Sequence, residues 1–195
     1  TALSLNKTIL DNVKDSNKDA LDNEVRVLQD ISSTPRYAYG QRVGLYNQLA
    51  NAFLGQRRLI DAEYWARESV VLAINREGVN SASTCFALLT LSKIISEQGR
   101  QAEAVMLSQA ALKVAMQSTN YSASPLIAAA RKALGTSLAA DGKYVQADKV
   151  FNEMLDGIKS DPELASSYQS GDLDWAIALV KTGKSAQAAT MTGEM

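Results

Sequence analysis

Four pairs of small residues, each pair spanning twelve positions, constrain this chain more than any other feature. Ala50 and Ala62, Ser92 and Ala104, Gly135 and Ala147, and Ala176 and Ala188 recur with offsets of 42, 43 and 41 residues between successive units. A self-similarity of that period marks an array of supersecondary units. A bulky residue precedes the first small residue of each pair (Leu49, Leu91, Leu134, Trp175), and another follows three positions after it (Phe53, Ile95, Leu138, Leu179). In three units a glycine lies five residues before the second small residue: Gly99, Gly142 and Gly183. In the first unit Gly55 lies seven before Ala62.

The spacing predicts helical hairpins. Two helices joined by a tight turn approach closely only where small residues meet at the crossing, and larger side chains a turn away then fill the space around it. One hairpin cannot bury its apolar face alone, so hairpins stack. Composition agrees: aromatics are 6% of a chain that is 46% hydrophobic, and its three prolines, Pro35, Pro125 and Pro162, are far apart, leaving long stretches without a helix breaker. The expected fold is all-α, an α-solenoid of antiparallel hairpins, with four units at about 42–83, 84–126, 127–168 and 169–192. Residues 1–41 read as an N-terminal helical cap or degenerate repeat: Leu3, Leu10 and Val13 suit one helix, Ala20, Leu21, Val25, Leu28 and Ile31 a second, and Ala20 stands 42 residues before Ala62. Turn-forming segments at 33–42, 75–84 and 117–125 separate the units, and Ser124-Pro125 reads as a helix start with Ser124 as the cap. The fourth unit ends in a short, weakly apolar second helix with no polar capping helix after it, which leads to the expectation that the chain is part of a longer protein.

These residues carry a resemblance to the tetratricopeptide repeat family. Tyr46, Leu49, Ala50, Phe53, Ala62, Ala66 and Ser69 follow that family's pattern, as do Leu88, Leu91, Ser92, Ile95, Ala104, Ser108 and Ala111. The third unit matches at Leu134, Gly135, Leu138, Ala147 and Phe151 but has Arg131 where a bulky residue is usual. The fourth matches at Trp175, Ala176, Leu179 and Ala188 but not at Asp172. The common repeat is about 34 residues long. The spacing here is similar to the longer variety found in kinesin light chains and in arrays attached to caspase-like bacterial proteases. The resemblance implies a protein- or peptide-binding scaffold, the interaction or regulatory region of a larger protein, with the first helices of successive units lining a groove. Carried onto this chain, the groove positions are Asn47, Asn51 and Leu54; Phe86, Leu89, Lys93 and Ser96; and Ala129, Lys132 and Thr136. Asparagines there would grip a peptide backbone, Lys93 and Lys132 would attract acidic groups, and Phe86 with Leu89 would offer an apolar pocket. The carboxylate clamp of some co-chaperone members is not reproduced: Asn47, Thr90, Ala129 and Ala133 stand where that clamp needs other residues, and only Asn51 agrees. Two alternatives remain at this point. Leu173, Ile177 and Val180, on the face away from Trp175 and Leu179, could mediate self-association as a homodimer, or the array could sense a small peptide or molecule and control an attached enzyme.

Other function classes find little support. A net charge of -1 does not suit nucleic-acid binding, and no apolar stretch approaches the roughly 20 residues of a membrane span. Histidine is absent, which removes the commonest general base and metal ligand. Cys85 is the only cysteine and can have no histidine partner, so it reads as a structural thiol. The TGKS segment, 182–185, resembles the end of a phosphate-binding loop but has Ala178 where that loop needs its first glycine, and it reads as the turn of the fourth hairpin. The carboxylate pairs Asp61–Glu63, Glu97–Glu103 and Asp172–Asp174 fall at helix ends, where acids favour the helix dipole or solvent. The chain is therefore expected to be no enzyme, to use no cofactor and no metal, and to take a protein or peptide as partner. The sequence does not fix its compartment.

Overall fold

The computed structural model describes residues 22–23, 25–26, 39–118, 123–159, 162 and 173–193. Of the expected N-terminal hairpin, 22–23 and 25–26 are described and are helical; the rest of it, and Asp172, lie outside the described residues. Eight helices are described: α1 (Tyr39–Gly55), α2 (Leu59–Glu77), α3 (Ala82–Glu97), α4 (Gln101–Gln117), α5 (Ala123–Ala140), α6 (Tyr144–Ile158), α7 (Leu173–Lys181) and α8 (Ser185–Gly193). They form four hairpins, α1–α2, α3–α4, α5–α6 and α7–α8, and no strand occurs among the described residues. Each hairpin packs on the next, and successive first helices, α1, α3, α5 and α7, also touch one another. This is the stacked order that the repeat predicts.

The four turns share one hydrogen-bond pattern. Arg58 N–H donates to the Phe53 carbonyl, Arg100 to Ile95, Lys143 to Leu138 and Lys184 to Leu179, while Arg57, Gly99, Gly142 and Gly183 donate to the carbonyl three residues before each of them. These paired bonds satisfy the last carbonyls of the first helix and require a left-handed residue at the inner donor. Gly99, Gly142 and Gly183 supply it with φ of 80°, 74° and 80°, and Arg57 does so with φ of 60°. This corrects the sequence reading of the first turn. Gly55 is the last residue of α1, and a non-glycine residue adopts the left-handed conformation two positions later.

The small pairs lie at the crossings. Ala50, Ala62, Ser92, Ala104, Gly135, Ala147, Ala176 and Ala188 are all buried. Around them, Leu49, Phe53, Leu91, Ile94 and Ile95 fill a core spanning the first two hairpins, to which Val25 of the N-terminal segment also contributes. Leu134, Leu138, Phe151, Met154, Trp175 and Leu179 fill a second core in the last two hairpins. Between the two lies a cluster of Cys85, Ala111, Val114, Ala115, Leu126 and Ala130. A polar knot ties the second hairpin to the third: Ser92 Oγ lies 2.6 Å from Ser108 Oγ, which lies 2.9 Å from Ser137 Oγ, and Ser92 donates to the Ala104 carbonyl at 2.9 Å. All three hydroxyls are buried and hydrogen-bonded, so the knot avoids the cost of an unpaired polar group.

One departure from the family pattern acquires a physical reason. Arg131, in place of a bulky residue, reaches the C-terminal end of α6, where Nη1 donates to the Glu153 carbonyl at 3.2 Å; a Cβ on Gly157 would stand 2.7 Å from that nitrogen. A cation at a helix C-terminus is favoured by the helix dipole. The predicted cap at Ser124 is not observed. Helix α5 begins at Ala123, placing Ser124 and Pro125 in its first turn, where a missing N–H costs no intrahelical bond.

Gly135, the one glycine at a crossing, has no room for a side chain. A Cβ there would meet three atoms of the Phe151 ring at 2.7–2.9 Å, and that ring stacks on Trp175 with centroids 5.3 Å apart. Gly135→Ala is therefore expected to cost about 1–3 kcal/mol in equilibrium unfolding by overpacking. Gly44→Ala, in α1 with nothing within 4 Å of its Cβ position, is expected to raise stability by about 0.5–1 kcal/mol through helix propensity.

Candidate functional site: the stripe on the first helices

Counting each unit from its small crossing residue aligns the candidate residues. Asn47, Leu89 and Lys132 stand three positions before it, and Asn51, Lys93 and Thr136 stand one after it. Leu54 and Ser96 stand four after it. The residues expected to mediate self-association occupy the same three places in the fourth unit: Leu173, Ile177 and Val180. Because successive first helices touch, the two predicted surfaces form one stripe across α1, α3, α5 and α7, polar at its start and apolar at its end.

Exposure along the stripe follows register. Asn51, Lys93 and Ile177, one place past the crossing, are exposed, and Thr136 is half-buried. The flanking places are half-buried in the internal units: Asn47, Leu89 and Lys132 on one side, Leu54 and Ser96 on the other. Leu54 packs against the first core and Leu89 against the middle cluster. Phe86, one turn before Leu89 on α3, is 44% exposed, and Ala129 on α5 is half-buried. Of the expected apolar patch, Phe86 is exposed, whereas Leu89 is half-buried against the middle cluster. The asparagines are arranged differently from expectation. Asn51 Nδ2 donates to the Asn47 carbonyl of its own helix at 2.9 Å. Asn47 Oδ1 is buried without a hydrogen-bond partner, a costly state for an acceptor.

The other polar residues are held by one another. Glu63 accepts from Arg67 at 2.7 Å, Arg100 at 2.8 Å and Gln98 at 2.8 Å, and Arg67 also reaches Glu103 at 2.9 Å, which accepts from Arg100 in turn. Burial pushes the Glu63 carboxyl up, but these donors outweigh it and hold it below the usual glutamate value. Asp61 pairs with Arg58 at 2.9 Å and Glu97 with Arg57 at 3.0 Å. The carboxylates considered for acid–base chemistry in the first two units are thus engaged in ion pairs between or within hairpins. Cys85 Sγ donates to the Ala111 carbonyl at 3.4 Å, and burial pushes its thiol up to about 11. It is a thiol held in its unreactive form.

Sequence reasoning missed Asp148. This buried carboxylate on α6 accepts from Trp175 Nε1 of α7 at 3.1 Å, from Asn152 Nδ2 at 3.0 Å and from Lys184 Nζ at 2.5 Å. Lys184 is the lysine of the TGKS segment, so that lysine's charge clamps the fourth hairpin to the third. Two signals were available: an acid one place after the crossing Ala147, on the buried side of the strongly amphipathic α6, and an indole needing an acceptor.

No protein-family model and no curated protein sequence matches this chain. Solved structures do match. A crystal structure of the nearly identical TPR-like repeats of a kinesin-light-chain protein of Podosopora anserina superposes with a TM-score of 0.68 at 15% identity, over 91% of this chain and 84% of that one. BtubC (BKLC) from P. vanneervenii superposes at 0.68 and 13% identity, over 91% and 70%. A Rap protein complexed with Competence and Sporulation Factor superposes at 0.72 and 14% identity, over 93% of this chain and 49% of that one. The fold is a tetratricopeptide-like repeat solenoid. Among the described residues of this solenoid, no helix is long and apolar enough to cross a membrane.

The Asp148 clamp has a pH signature. Burial raises its carboxyl, but the bonds from Lys184 and Trp175 outweigh this and hold it below its ordinary value of 3.8. A depressed folded-state value contributes stability above the unfolded value, lost as pH falls through the folded one. Asp148→Asn is therefore expected to lose about 1–3 kcal/mol at pH 7, the scale of hydrogen bonds to a charged group. The difference from wild type should narrow below about pH 4 in urea unfolding.

Proposed function

We propose that this chain is a protein- or peptide-binding scaffold that works through the stripe on its first helices, as the interaction or regulatory region of a larger protein. The observation that carries the reading is the stripe itself. Asn51 and Lys93 are exposed at equivalent places of adjoining helices, where the crossings do not need them. The packing of the hairpins fixes where these side chains stand without using them, and a rigid array of side chains at repeat spacing is what such a fold offers a ligand. The unpartnered, buried Asn47 Oδ1 supports it, because a ligand N–H would satisfy that acceptor. Lys93, with Lys132 on the next helix, favours acidic groups in the partner. The Rap structure, solved with a bound factor, is consistent with this use of the fold, including use as a sensor. No catalytic role is assigned to the chain: Glu63, Asp61, Glu97 and Glu103 serve in ion pairs, and Cys85 is buried.

The test is recovery of a partner from source lysate by wild type beside an Asn47→Ala, Asn51→Ala, Lys93→Ala variant, after circular dichroism has shown equal helicity. The variant is expected to lose a partner that wild type retains, with affinity reduced tenfold or more, about 1.4 kcal/mol. Equal recovery by both would remove the stripe as the working surface.

A further inference from the structure

Gly44 is a glycine that the packing does not call for. It stands inside α1, where glycine weakens a helix relative to alanine. Gly135 and Gly157, also helical, have a reason: a Cβ at Gly135 would meet the Phe151 ring, and one at Gly157 the Arg131 guanidinium. A Cβ at Gly44 would meet nothing within 4 Å. Gly44 lies six places before the crossing residue Ala50, in line with Asn47 and Asn51, and Phe86 and Ala129 occupy the same place on α3 and α5. Val43 and Ala87, their chain neighbours, are buried in one cluster with Ala73, so Gly44 and Phe86 flank one joint from outside. The result is a bare stretch of α1 backbone beside an aromatic ring that is 44% exposed. This cleft lies between two hairpins within the array, and stacking leaves both of its walls open to solvent.

We propose that the cleft between Gly44 and Phe86 receives one bulky apolar side chain of a bound peptide, about three residues from an acidic one, and that glycine stands at 44 so that this side chain can lie against the helix backbone. The inference rests on the stripe being the binding surface and names what one part of it takes. A missing side chain is what lets a ligand approach a backbone closely, and the exposed ring beside it favours apolar surface leaving water. Both walls are held in place before any ligand arrives. Ser69 Oγ of α2 donates to the Val43 carbonyl at 3.1 Å, and Thr90 Oγ1 donates to the Phe86 carbonyl at 3.1 Å. Asn47, one turn on from Gly44, selects a peptide. Its Oδ1 has no hydrogen-bond partner, so the amide can turn toward a peptide N–H without giving up a bond at that atom. Lys93 sets the acid. It is exposed two turns along α3 from Phe86, about 10 Å at about 1.5 Å rise per residue, which an extended peptide covers in about three residues.

The test uses the full chain and a library of capped hexapeptides, each mixture fixed at one bulky apolar and one acidic residue of set separation. Wild type is expected to retain the mixtures with the two about three residues apart, above mixtures with alanine at the apolar position. Gly44→Leu, which fills the cleft, should lower that binding by roughly tenfold or more, and Phe86→Ala several-fold. Gly44→Ala carries the distinguishing signature: binding weaker by several-fold together with a melting midpoint raised by about 1–4 °C, because the change that helps the helix obstructs the ligand. Gln109→Leu, of similar bulk and exposed on α4, should leave binding unchanged. Equal binding by wild type and Gly44→Leu would overturn the proposal, as would retention that ignores the apolar residue. If Asn51→Ala and Lys93→Ala still lose those peptides, the stripe stands and only the cleft falls; retention of no mixture by wild type overturns both. A dimer in sedimentation velocity that Gly44→Leu abolishes and the peptides do not compete would also overturn it, with a second copy as the occupant.

Discussion

The close approach of two helices at a pair of small residues is the contact on which the rest of this structure depends. With Ala, Ser or Gly at both sides of each crossing, the backbones come near enough for Phe53, Ile95, Leu138 and Leu179 to close around them. The carbonyls of those same four residues then receive the N–H groups that form each turn. Crossing and turn are therefore one device repeated four times. The third unit takes it furthest, where Gly135 admits the Phe151 ring and that ring carries Trp175 of the next hairpin.

Because the crossings bury one side of each first helix, the place beside them is left open to solvent in three of the four units. Register links the two: a residue one place past the buried crossing is held rigidly, yet faces out in the first, second and fourth units. The joints between hairpins are reinforced by polar ties of different strength. The ion pairs around Glu63 and Arg100 are partly open to solvent and individually contribute little. The serine knot and the Asp148 clamp are buried, so breaking either leaves an unpaired group in a low-dielectric setting. The four hairpins thus share a plan but are not joined alike.

Much of this was legible in the sequence. Small-residue spacing alone gave the hairpins, their stacking and the buried set at the crossings, because a twelve-residue interval leaves few geometric solutions. The first turn misled because glycine is only the easiest way to reach a left-handed conformation, and Arg57 reaches it without one. Asp148 was hidden because its role depends on Trp175 and Lys184, 27 and 36 residues away, and composition carries no trace of such pairing. Of the candidate surface residues, Asn51, Phe86, Lys93, Leu173, Ile177 and Val180 are exposed and the others half-buried, a difference of register that residue type does not reveal. Counting from the crossing residue shows that Leu173, Ile177 and Val180 continue the line of Asn47, Asn51 and Leu54.

The central claim is that the crossing residues are committed to packing and the stripe beside them on the first helices is not. Equilibrium unfolding of Ala104→Leu beside Lys93→Leu tests it most directly, since the first enlarges a fully buried crossing and the second adds similar bulk on the exposed stripe. The account predicts a loss of about 1–3 kcal/mol or more for Ala104→Leu and a change within about 0.5 kcal/mol for Lys93→Leu. Similar values for the two would contradict it.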